Sequence, residues 1–138
     1  METSQKPVWT TCVTTPDTSP SLLALLRPVS EQWRSKLKSF DFESGLDSLT
    51  VVVHLGNPPV PEFRERRSYH GELNVLFSSV AIEYPAWRDA RSDGRFRLLE
   101  TALSRAIDNA PKRRVSAAEK DTLVTALRAS ISDLQADG

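Results

Sequence analysis

Cysteine is nearly absent: Cys12 stands alone among 138 residues, so no intrachain disulfide can form and no cysteine-based zinc site has enough ligands. A reducing cytoplasm suits such a chain. Histidine is almost as scarce, with His54 and His70 the only two, and neither an HExxH pattern nor a paired Asp-x-Asp accompanies them, which argues against a catalytic metal. Glycine appears five times, at Gly45, Gly56, Gly71, Gly94 and Gly138, always isolated, so no glycine-rich phosphate loop exists and no cofactor is expected. The longest apolar run is LLALL at residues 22–26, against roughly 20 apolar residues for a membrane span. The opening METSQKPVW has no basic region followed by an apolar one, so no secretory signal is expected. Neither sign of charge is in excess. Lys plus Arg and Asp plus Glu both total 18, and the bulk attraction that drives nucleic-acid binding is missing.

What is present describes a soluble globule. Hydrophobic residues are 39% and charged residues 26% of the chain, outside both the disordered and the membrane classes. The length suits one domain over residues 1–138, with frayed ends at 1–6 and 136–138. Residues 8–14 (VWTTCVT) are β-branched and aromatic and predict a first strand. Ser19 and Pro20 mark a helix start, and Leu22, Leu26, Val29, Trp33, Leu37 and Phe40 share one face of that helix. Pro28 inside it predicts a kink, or two short helices meeting near Arg27. Residues 41–48 (DFESGLDS) read as an exposed acidic turn.

Residues 49–84 form the organising stretch. Val51, Val53 and Leu55 on one side and Val52 and His54 on the other predict a buried central strand ending at Gly56. Pro58, Pro59 and Pro61 exclude a central strand over the next segment. Glu62, Arg64, Glu65, Arg66 and Arg67, with Phe63 and Tyr69, read as an edge strand protected by charge. His70 and Gly71 predict a hairpin turn. The following apolar face runs Leu73, Val75, Phe77 and then changes parity to Val80, Ile82, Tyr84, which predicts a bulge or bend near Ser78. Pro85 ends the strand, and residues 86–94 are read as a loop carrying Trp87. Phe96, Leu99, Leu103, Ala106 and Ile107 define the next helix. Ser116 and Glu119 form a capping box for the last one, whose buried face is Leu123, Leu127, Ile131 and Leu134. The order β-α-β-β-β-α-α predicts an α+β domain, with helices on one face of a largely antiparallel sheet of about four strands.

His54 is the leading candidate for chemistry, as a general base or ligand, yet no nucleophile motif surrounds it, and a hydrogen-bonded or half-exposed strand histidine is the simpler reading. A thiol pair with Cys12 requires the first two strands to be neighbours. The basic residues of 64–67 and 112–114 are mixed with Glu62 and Glu65 or sit at a helix end, where cations are favoured in any case, so nucleic acid is disfavoured as a partner. Trp9 and Trp33 read as structural, whereas Trp87 is either an interface anchor or a cover for the end of the sheet. No catalytic, cofactor or metal site is assigned.

The apolar strand TVVVHLG, the proline-flanked ribbon PPVPEFRERR, the second strand ELNVLFSSVAIEYP and the terminal amphipathic helices together make residues 48–87 and their surroundings resemble the small immunity proteins of bacterial polymorphic or contact-delivered toxin systems. The resemblance implies a non-enzymatic protein that neutralises a cognate toxin by direct binding. Mixed surface charge, which sets specificity between partners, points to Asp41, Glu43 and Asp47, or the ribbon Glu62, Arg64, Glu65, Arg66 and Arg67, as contact residues, with Trp87 as the candidate aromatic anchor. Two other readings stand beside it: a self-associating regulatory or scaffold module, and a small enzyme using His54 or a carboxylate.

Overall fold

The computed structural model describes residues 10–56, 63–67 and 74–137. Its elements are β1 (Thr11–Thr14), α1 (Pro20–Lys36), β2 (Ser48–Leu55), β3 (Phe63–Arg67), β4 (Asn74–Ile82), α2 (Tyr84–Asp89), α3 (Ser92–Asp108) and α4 (Ala117–Asp137). The four strands lie in the order β1-β2-β4-β3. The class is α+β, but the expected largely antiparallel sheet is wrong. β1, β2 and β4 run parallel, and only β3 is antiparallel, at the edge beside β4.

The antiparallel expectation treats the links between the strands after α1 as too short for a parallel crossover. Instead β4 inserts between β2 and β3. The eighteen residues between Leu55 and Asn74 then serve as one long connection, enough to return the chain to the start of the sheet for a parallel strand.

The expected bulge is also absent. β2 and β4 pair without a slip from Ser48 opposite Val75 to Leu55 opposite Ile82. Leu76, Ser78, Val80 and Ile82 are the buried face, and Val75 and Phe77 are half-buried on the other. Ser78 caused the misreading, since a hydroxyl in a core position looks like a change of phase. It is accommodated because Ser78 Oγ donates to the Ala106 carbonyl of α3 at 2.9 Å.

Leu49, Val51 and Val53 of β2 are fully buried together with Leu22, Val29 and Trp33 of α1 and Leu99, Leu103 and Ile107 of α3. α1 packs on β1, and α3 on β4 and β2, while α4 packs on α1 and α3. Trp33 Nε1 donates to the Leu123 carbonyl at 2.9 Å, fixing α1 to α4. α1 continues unbroken through Pro28, so the two-helix expectation does not hold. The carbonyl that Pro28 leaves without a donor belongs to Ala24, an exposed residue that water can reach. The free edge of β1 is closed by α1, where Ser30 Oγ accepts from the Val13 amide at 3.0 Å.

α2 replaces the loop expected over residues 86–94. Pro85 acts as a helix starter in its first turn rather than simply as a strand terminator. The predicted capping box of α4 is present, with Glu119 Oε1 accepting from the Ser116 amide at 2.8 Å and Ser116 Oγ accepting from the Glu119 amide at 3.2 Å. Trp9, Glu62 and the His70–Gly71 turn lie outside the described residues.

Candidate partner-binding surfaces at the two ends of the sheet

At the end of the sheet where β2 and β4 begin, the acidic turn enters β2. Phe42 and Leu46 bury themselves beneath it, and Phe42 meets Phe40 edge to face at 5.0 Å. Gly45 takes φ +85°, a backbone conformation that side-chain-bearing residues rarely adopt. Of the three carboxylates, Asp41 and Glu43 are exposed. Asp47 is turned inward: its Oδ2 accepts from the Asn74 amide at 2.6 Å, and its own amide donates to the Asn74 carbonyl at 3.0 Å. Because Asn74 is also the register partner of Arg67, the acidic turn and the charged ribbon meet at this end. Sequence reasoning had named both regions without placing them together. Arg64, Glu65 and Arg66 continue along β3 opposite Phe77, Leu76 and Val75.

The same turn is fastened to α4. Glu119, 7% exposed, spends one carboxylate oxygen on the capping box and accepts with the other from the Glu43 amide at 2.8 Å. Ser44 Oγ donates to the Arg114 carbonyl at 2.8 Å, and Arg114 Nη1 returns a bond to the Ser44 carbonyl at 3.2 Å.

The opposite end is built around Trp87, which is 1% exposed. Its Nε1 donates to Ser21 Oγ at 2.9 Å, tying α2 to α1. Arg95 lies over its ring at 5.2 Å and donates from Nε to its carbonyl at 3.0 Å. Trp87 therefore packs under the end of the sheet and offers no surface. Beside it a groove of about 740 Å³ runs between the end of β4, α2 and α3. Its floor is apolar and shallow-sided, from Ile82, Ala86, Ala90, Gly94, Leu98 and Ala102, with Glu83, Arg97, Thr101 and Arg105 along the rim. Gly94 permits the close approach, since a Cβ there would stand 3.2 Å from the Ala90 Cβ. Arg97 and Arg105 are exposed and have no ion-pair or hydrogen-bond partner among the described residues. Sequence reading missed this pair. Its signal was the spacing Arg97, Thr101, Arg105, which puts three polar side chains on one face of α3 beside the core stripe.

His54 is 7% exposed, and its Nε2 has no hydrogen-bond partner among the described residues. β1 and β2 are indeed neighbours, but Cys12 stands opposite Thr50, four residues from His54. At about 3.3 Å per residue that is roughly 13 Å along the strand, out of reach for a thiol–imidazole pair. Among the described residues no group of three His, Cys, Asp or Glu side chains is placed to hold a metal ion, and no helix is long and apolar enough to cross a membrane.

A family model described as immunity protein 44 matches residues 6–133. The chain belongs to the immunity protein 44 family. The match spans both ends of the sheet and bears out the resemblance to an immunity protein of a toxin system. No curated protein and no solved structure matches the chain.

Proposed function

We propose that this member of the immunity protein 44 family neutralises a cognate toxin by binding it directly, without chemistry of its own, in the cytoplasm of the bacterium that makes both. Family membership over residues 6–133 is the observation that carries this reading. The isolation of His54 from Cys12 speaks against a thiol-based enzyme, and the lone cysteine fits a reducing compartment. The exposed Asp41 and Glu43, with the β3 ribbon of Arg64, Glu65, Arg66 and Arg67 at the same end of the sheet, form one proposed contact surface. Charge of both signs there would favour encounter with a partner of complementary pattern.

Co-expression with the toxin encoded beside its gene tests the reading. Growth should be restored, and the two proteins should co-purify as a stable complex. A toxin that kills equally well with or without this protein, and does not bind it, sinks the proposal.

A further inference from the structure

We infer that the groove at the carboxyl end of β4 is a second docking surface, which takes an extended, carboxylate-bearing segment of the toxin; the inference rests on the neutralisation reading above. The floor is apolar, and one wall carries two guanidinium groups that make no ion pair or side-chain hydrogen bond with the described residues. A chain with zero formal net charge has here a local excess of positive charge over apolar surface. Among the described residues Glu83 is the one carboxylate on the rim. A segment with apolar side chains for the floor and carboxylates for the wall is the complement of that pattern.

The spacing narrows the chemistry further. Arg97 and Arg105 are eight residues apart on α3, which is roughly 12 Å along the helix axis. On an extended chain four residues cover about 13 Å, so two carboxylates at positions i and i+4 match the two guanidinium groups, with the intervening side chains alternating toward the groove. Thr101, midway between them and exposed, would face the middle of the segment. Arginine suits this role because its planar fork binds a carboxylate through two parallel hydrogen bonds.

The test uses the full-length protein and an inactivated form of the toxin encoded beside its gene, with affinity measured by calorimetry. Charge reversal in R97E/R105E should weaken binding at least tenfold. T101W, which fills the groove from its exposed wall, should weaken binding while leaving circular dichroism and the melting temperature unchanged. Wild-type affinity should fall as salt is raised, and R97Q/R105Q should flatten that dependence. If R97E/R105E and T101W both bind like wild type, the groove assignment is overturned and direct neutralisation stands. If wild type itself fails to bind the toxin, both fall together.

Discussion

Each end of the sheet has one buried side chain that joins it to a helix, and the two use different physics. At the start of β2, Glu119 works through hydrogen bonds, uniting the α4 cap with the Glu43 amide of the acidic turn. At the finish of β4, Trp87 works through volume, filling the space under α2 with one bond to Ser21 and a cation above its ring. The first end presents exposed carboxylates beside a charged strand, and the second presents arginines without an ion-pair partner among the described residues, over an apolar groove. The two surfaces of opposite character share one hydrophobic core but are fastened by separate local hydrogen bonds. Loss of one should leave the other standing.

The sharpest way to break that comparison is to remove Trp87. W87A should cost about 3–5 kcal/mol in urea unfolding, the range for truncating a buried aromatic, and should disorganise the groove. Partial folding should still leave the acidic turn protected from amide exchange; simultaneous loss of protection at both ends would show that they are one unit. E119A should cost about 2–3 kcal/mol, since two amides lose a charged acceptor in a buried setting. Its signature is faster exchange at the Glu43 and Ser116 amides with the α2 region unchanged. E119Q should fall between, because its amide group keeps only one acceptor oxygen.

The smallest effect is expected at the surface of the groove end. Asp89 is held below its usual carboxylate range by a hydrogen bond from Arg88 and by that residue's charge. The sign follows: any stabilisation exists once the carboxylate is ionised and disappears as pH falls through the lowered value. The pair is fully exposed, however, and surface pairs of this kind contribute little. D89N should unfold at the same urea concentration as wild type at neutral pH. A clear difference that vanishes in acid would assign the pair a structural role after all.

Much of the helical architecture was legible before any coordinates. The Leu22–Trp33 and Leu123–Ile131 stripes and the Ser116–Glu119 capping box are local patterns, and local geometry at three- and four-residue spacing does not depend on distant partners. The edge role of β3 was legible for the same kind of reason, from the alternation of charges in the ribbon. α2 was missed because six residues beginning Tyr84–Pro85 carry no periodic stripe, and a proline after a strand reads equally as an end or a beginning. The candidate surface was half legible: Asp41, Glu43, Asp47 and the ribbon could be named, but Arg97 and Arg105 looked like any solvated face until β4 and α2 supplied the other wall.

By itself the sequence determined the long helices with their apolar stripes, the α4 capping box and the approximate positions of the strands, but neither α2 nor the buried face of β4. Only the tertiary structure decided that β4 lies between β2 and β3, that Asp47 is a clamp while Asp41 and Glu43 face outward, and that two arginines overlook an apolar groove. Strand order is a choice among long-range pairings, and hydrophobic period alone does not tell a strand which neighbour it will meet.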